Sequence, residues 1–246
     1  MNAVSLHASP SADFSEKLAA TEKLLERAVR EFAPLTQASS LGAEDMVVTG
    51  LLRRLALPSA IFVLDTGRLH PETLALLGQL TDDGYPIDVY RPDSEAVAAF
   101  VAAHGEDAMY DSIELRKTCC HIRKMEPLER ALAGKRGWIT GLRREQSGAR
   151  AQIEPIEHDG IRTKINPLAD WTWGDVWHYI GLHQLPYNRL HDQFYPSIGC
   201  APCTRAIALG EDFRAGRWWW EQEGAKECGL HVAAHTVVEI HAVNET

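Results

Sequence analysis

From Phe14 to Gly181 the sequence alternates short apolar runs with helix-period segments, and few architectures accept that rhythm. An amphipathic helix is expected from Phe14 to Phe32, with apolar side chains at positions 18, 24, 25, 29 and 32. Strands are expected at Leu35 to Ser39, Ala60 to Leu64, Ile87 to Tyr90 and Trp138 to Thr140. Helices are expected at Asp45 to Leu55, Pro71 to Thr81, Ser94 to Ala103, Pro127 to Leu132 and Thr172 to Gly181. Pro71 and Pro127 suit a first helical turn, where a missing N–H costs nothing. Strands separated by helices pair in parallel, so the fold class is α/β with a mostly parallel sheet. A chain of 246 residues buries a core without disulfide staples. There are no internal repeats and no linker rich enough in Gly, Ser or Pro to divide it. From about Tyr187 the pattern turns irregular, around a Trp218-Trp219-Trp220 cluster.

Ligands of parallel sheets bind beyond the carboxyl ends of the strands, which directs attention to two loops. Ser39-Ser40-Leu41-Gly42-Ala43-Glu44-Asp45 runs from a strand into a helix, and its backbone N–H groups are suited to a phosphate. Plain helix capping explains the same residues. Leu64-Asp65-Thr66-Gly67 closes a buried strand, and a turn capped by its own Asp is the plain reading there.

Charge and cysteine usage narrow the chemistry. The formal charge of −9 disfavours a nucleic-acid or general polyanion binder. Yet Arg116 to Arg150 holds ten basic and three acidic residues, a local +7 suited to a small anion. The five cysteines are Cys119, Cys120, Cys200, Cys203 and Cys228. An odd number argues for metal or redox chemistry over a disulfide framework. Cys119-Cys120 are adjacent and Cys200-Ala-Pro-Cys203 is a C-x-x-C. Adjacent cysteines are a poor zinc signature, because paired zinc ligands are usually two to four residues apart. A thioredoxin-like C-x-x-C opens a helix after a strand, whereas Tyr195-Pro-Ser-Ile-Gly199 is rich in turn formers. Four thiolates also suit an iron-sulfur cluster, so spacing alone leaves cluster and zinc both open. Cys228 stands apart, with Lys226 before it and His231 after it as cations that favour a thiolate.

Taken together, these motifs resemble a known family. Ser40-Leu41-Gly42-Ala43-Glu44-Asp45 resembles the degenerate pyrophosphate-binding loop of the adenine nucleotide alpha-hydrolase-like fold. Leu64-Asp65-Thr66-Gly67 with Pro71-Glu72-Thr73 resembles the second signature of the sulfonucleotide reductases. Thr140-Gly141-Leu142-Arg143-Arg144-Glu145-Gln146-Ser147, Trp218 to Trp220 and Glu227-Cys228-Gly229-Leu230-His231 follow in that family's order. Within the family, Cys119-Cys120 with Cys200-x-x-Cys203 resembles the assimilatory adenylyl-sulfate (APS) reductases, which carry a 4Fe-4S cluster. Reductases of 3′-phosphoadenylyl sulfate (PAPS) typically lack both pairs.

The resemblance implies a doubly wound, mostly parallel sheet of the pyrophosphate-loop type with an irregular C-terminal tail. It divides the chain into a disordered N-terminus (1–13), a nucleotide-binding α/β domain with the iron-sulfur site (14–212) and a C-terminal segment with the catalytic cysteine (213–246). It implies thioredoxin-dependent reduction of APS to sulfite and AMP through a cysteine S-sulfonate, with Cys228 and His231 catalytic. Cys119, Cys120, Cys200 and Cys203 hold the 4Fe-4S cluster. Ser40, Gly42, Asp65, Lys124, Gly141, Arg150, Arg214 and Arg217 bind substrate, and Arg214 and Arg217 share a face if their segment is helical. The stretch Ser147-Gly-Ala-Arg150 is shorter than the Ser-Pro-Gly-Thr-Arg of close relatives. The competing readings are a PAPS reductase, and a pyrophosphate-loop nucleotide-binding protein with structural zinc. Expected partners are APS and thioredoxin or a glutaredoxin-like dithiol, with no nucleic acid or membrane and a homo-oligomer left open. No apolar run reaches the roughly 20 residues of a bilayer span, and Met1 to Lys17 has no basic leader followed by an apolar stretch, so a cytoplasmic protein is expected.

Overall fold

The computed structural model describes residues 2–221. Among these residues six strands form one sheet: β1 (Leu35–Ser39), β2 (Ala60–Leu64), β3 (Ile87–Tyr90), β4 (Gly137–Ile139), β5 (Ile156–His158) and β6 (Thr163–Ile165), in the order β3-β2-β1-β4-β6-β5. All neighbours pair in parallel except β5, which lies antiparallel on β6 at one edge. The chain steps outward from β1 to β3 and then crosses back to lay β4 on the other side of β1. That reversal opens a crevice between the β1 and β4 loops.

The helices are α1 (Ala3–His7), α2 (Phe14–Glu31), α3 (Ala43–Arg54), α4 (Pro71–Asp82), α5 (Ser94–His104), α6 (Ile113–Cys120), α7 (Glu126–Leu132) and α8 (Trp173–His183). Strand periodicity sends consecutive side chains to opposite faces. Ile139 accordingly packs with Leu25 of α2, Leu51 of α3 and Trp177 of α8, while its neighbour Trp138 packs with Leu128 and Leu132 of α7. Phe62 joins the α7 cluster, and Val63 meets Leu76, Leu77 and Leu80 of α4. Helices therefore cover both faces of the sheet, as a doubly wound fold requires.

The four expected strands are present, with β4 one residue earlier, whereas β5 and β6 are not among those expected: Ile156-Glu157-His158 and Thr163-Lys164-Ile165 are three residues each and too short and polar to read as apolar runs. Thr140 turns its hydroxyl to Asn166 Oδ1 at 2.6 Å as the chain leaves the strand. Helix α3 starts at Ala43, two residues before the expected Asp45, because Gly42 takes an extended N-cap conformation. The opening segment, expected to be disordered, carries α1. Its Ala3 N–H donates to Asp192 at 2.7 Å, and Ser11 N–H donates to Asp175 at 2.7 Å. A π-helical turn, His121–Met125, joins α6 to α7. Such turns inside helices are frequent at functional sites.

Leu51 is fully buried where α3 meets the sheet. Leu51→Ala should cost about 2–5 kcal/mol of unfolding free energy by the cavity it leaves, measured by urea denaturation.

Candidate active site

The loops after β1, β2 and β4 meet the π turn and the 191–218 segment around one cleft. Ser40, Gly42, Lys124, Gly141, Arg150, Arg214 and Arg217 all line it. Asp65 is not among the lining residues. Its carboxylate accepts the Gly67 N–H at 3.0 Å and pairs with Arg91 Nε at 3.0 Å, which is the turn-capping role. Cys228 and His231 lie outside the described residues.

The β4 loop is tied to the β1 loop by a buried network. The Glu44 carboxylate accepts Arg143 Nε at 3.0 Å and Gln146 Nε2 at 2.9 Å. Gln146 Oε1 in turn accepts Arg150 Nη1 at 2.7 Å, which fixes this guanidinium in the cleft wall. The loops approach so closely that a Cβ on Gly141 would sit 2.5 Å from Asp45 Oδ1. Burial first, and the neighbouring Glu44 charge second, push the Asp45 carboxyl up to about 6 despite hydrogen bonds from Ser40 and Gly141.

The backbone donors of the β1 loop, expected to face a phosphate, are engaged within the chain. Ser40 N–H donates to Asp45 Oδ2 at 2.6 Å and Leu41 N–H to Ser39 Oγ at 3.2 Å. Gly42 N–H reaches Ser40 Oγ at 3.4 Å, and Ala43 N–H donates to His191 Nε2 at 3.2 Å. Burial holds His191 down to about 4, so its ring is neutral at pH 7 and able to accept.

A second cavity adjoins the cleft and shares Lys124, Cys200 and Trp218 with it. Cys119, Cys120, Cys200 and Cys203 all line this cavity, and each is a free thiol. The first two end α6, while Cys200 caps and Cys203 ends the short 3₁₀ turn Ala201–Cys203. No helix opens after that turn, so the context of a thioredoxin-like C-x-x-C is missing. The Thr66 hydroxyl lies 3.2 Å from the Cys200 sulfur. Burial raises the Cys200 thiol, but Lys124, the Thr66 hydroxyl, Arg217 and Arg123 more than offset it, and the net shift favours the thiolate. Burial and the neighbouring Cys200 push Cys203 up to about 12. Among the described residues no group of three or more His, Cys, Asp and Glu side chains is placed to hold a metal ion.

Three guanidinium groups gather on the buried Trp218 indole: Arg116 at 4.8 Å, Arg214 at 6.0 Å and Arg217 at 4.6 Å from the ring centre. Arg116 makes a two-pronged pair with Glu221, at 2.7 and 2.8 Å, out of contact with solvent. Arg217 donates to Ile198 O at 2.9 Å and lies directly over Gly199, where any Cβ would strike the guanidinium. Arg214 and Arg217 sit on turns rather than on a helix, with Arg217 bridged to Thr204. They converge through the indole instead of through a shared helical face.

Glu44, Gln146, His191 and Arg116 had no assigned role in the sequence. The first two stand inside motifs already singled out, whereas nothing around Asn188-Arg-Leu-His191 marks the ring that meets Ala43.

The family model of the phosphoadenosine phosphosulfate reductase domain matches residues 34–206. The chain is 54% identical over 216 residues to the adenosine 5'-phosphosulfate reductase of Allochromatium vinosum, covering 87% of this chain and 84% of that one. It is 50% identical over 222 residues to the protein of the same name from Neisseria meningitidis serogroup B, covering 88% and 90%. Among solved structures, the phosphoadenylyl-sulfate (PAPS) reductase of Candida auris in its phosphate complex superposes with a TM-score of 0.63 at 27% identity, covering 78% of this chain and 97% of that one.

The depressed His191 pKa has a consequence for stability. The unfolded ring binds a proton near its ordinary 6.5 and the folded ring only near 4, so this contribution is complete above pH 6.5 and is lost as pH falls toward 4. Between pH 6.5 and 5 the wild type should lose unfolding free energy more steeply than His191→Leu, by up to about 1.4 kcal/mol per pH unit. Urea denaturation at both pH values measures the slopes, and parallel slopes would mean that the folded ring binds its proton as readily as the unfolded one.

Proposed function

The chain belongs to the phosphoadenosine phosphosulfate reductase family, with the adenosine 5'-phosphosulfate reductases among its relatives, and from that premise we propose that it reduces APS to sulfite and AMP. The observation that carries this reading is the junction of an arginine- and lysine-lined cleft with a four-cysteine cavity across Lys124, Cys200 and Trp218. A nucleotide-binding protein with structural zinc leaves that junction, and Cys228, without a purpose.

In the proposed mechanism Lys124, Arg150, Arg214 and Arg217 meet the charges of the phosphosulfate, and fixed cations of this kind stabilise charge as it moves to the leaving group. Ser40, Gly42 and Gly141 wall the nucleotide, and Asp65 acts at one remove by shaping the turn that presents Thr66. The Cys228 thiolate attacks the sulfur, a sulfur–sulfur bond forms, and the bond to the phosphate oxygen breaks to release AMP. His231 closes over the reacting group. A dithiol of the thioredoxin or glutaredoxin-like class then attacks the Cys228 sulfur. Sulfite leaves with the electron pair of the broken bond, and the second thiol resolves the mixed disulfide. The two electrons come from the dithiol, which becomes a disulfide, and Cys228 returns to the thiol. A cytoplasmic setting, where such dithiols are kept reduced, supports this chemistry.

Four free thiols around one cavity fit a 4Fe-4S group, with Cys119, Cys120, Cys200 and Cys203 as its ligands. Arg116, Arg123 and Lys124 oppose the thiolates' negative charge. Held by these four cysteines, such a group would supply a fixed charge to the wall that Lys124 shares with the cleft.

Incubation with APS and no dithiol should leave a sulfonate on Cys228, seen as a mass increase on its peptide and discharged as sulfite by reduced thioredoxin. Cys228→Ser should abolish both steps yet keep about four iron and four acid-labile sulfide per chain, as a Cys₄-ligated cluster requires. Loss of iron in that variant would make Cys228 a ligand, and zinc without sulfide would remove the cluster from the proposal.

Turnover with APS should exceed that with PAPS by at least about tenfold, or roughly 1.4 kcal/mol in the barrier. Side-by-side kinetics test this, and equal rates would favour the PAPS reductase reading.

A further inference from the structure

A loop running from a parallel strand into a helix normally presents backbone N–H groups to a bound anion. Four consecutive donors of this kind, on Ser40, Leu41, Gly42 and Ala43, all point to acceptors of the chain itself. The principal acceptor is a carboxylate. Asp45 Oδ2 takes the Ser40 N–H at 2.6 Å and the Ser40 hydroxyl at 2.7 Å, with Gly141 N–H as a further donor to the same group. These are the contacts a phosphate oxygen would make: one backbone amide from each of two strand-end loops and one hydroxyl. The group that receives them is 8% exposed and rests against Gly141, where a Cβ would leave no room for it.

We propose that Asp45 is the resident anion of this loop and a specificity-determining residue that bars pyrophosphate groups from it. The carboxylate uses the donors and sets its own negative charge at the helix end where a phosphate would lie, while the neighbouring Glu44 is engaged by Arg143 and Gln146. A nucleotide carrying two or more linked phosphates in the register of the loop meets repulsion there and no free N–H. The cations that remain for its anionic part are Lys124, Arg150, Arg214 and Arg217 on the other walls of the cleft. The loop thereby keeps the shape of a phosphate cradle while refusing the ligand. This holds independently of which sulfonucleotide the chain reduces, because it concerns the loop alone.

Removing the carboxylate should turn the loop into an anion site. The probe is inorganic pyrophosphate, followed through the amide resonances of Ser40 to Ala43, so that binding along the arginine wall is told apart from binding at the loop. In Asp45→Ala these amides should shift and saturate at a pyrophosphate concentration at least tenfold below any that moves them in the wild type. Asp45→Asn, which keeps the side-chain shape, should give an intermediate response and covers the case in which the alanine variant does not fold. The inference is overturned if the wild-type loop amides titrate with the same affinity as the variants', or if a folded variant shows no response at the loop.

Discussion

Three positive charges stacked on one buried indole form the constraint around which the functional half of the molecule is organised. Guanidinium groups from α6 and from the segment that follows the second cysteine pair would repel one another in open solvent. Around Trp218 each gains a π face at 4.6 to 6.0 Å, and cation–π attraction strengthens where water is excluded. Arg116 is further neutralised by Glu221, a pair with both members buried. Removing one partner of such a pair typically costs about 3–5 kcal/mol, because the other charge is left unpaired. Trp218 accepts a left-handed backbone with φ of 40° to occupy this position, a conformation an aromatic residue adopts only when its surroundings insist on it. The cysteine cavity and the cleft are thereby held to a common wall.

The architecture was largely legible because its signal is local. Buried parallel strands read as short apolar runs, and the consecutive pairs Phe62-Val63 and Trp138-Ile139 divide between the two faces as period two demands. What stayed hidden depends on distant partners. Helix α1 is five residues long and is secured by Asp192 at its first residue, with Asp175 holding Ser11 beyond its end, so its own composition says little. Sequence spacing likewise could not show that Cys119-Cys120 and Cys200-x-x-Cys203 share a cavity, since a long excursion through β4, β6 and α8 separates them.

The site shows the same division. The residues of the Thr140–Ser147 motif were identifiable as a unit, and the structure explains their company: Gln146 relays between Glu44 and Arg150. The β1 loop was recognisable by its shape, but whether its N–H groups face outward or are already used is decided by Asp45 and by His191, 148 residues downstream of Ala43. A motif reports which atoms are available in principle, and tertiary contacts decide which remain available.

Because Lys124, Cys200 and Trp218 belong to two cavities at once, the two occupancies obey reciprocity. If filling the cysteine cavity changes affinity in the cleft by some factor, filling the cleft changes affinity in the cavity by the same factor. The coupling needs no moving domain, only a wall whose side chains answer to both sides. Assembly of the cysteine site and recognition of the ligand are, to that extent, one equilibrium read at two places.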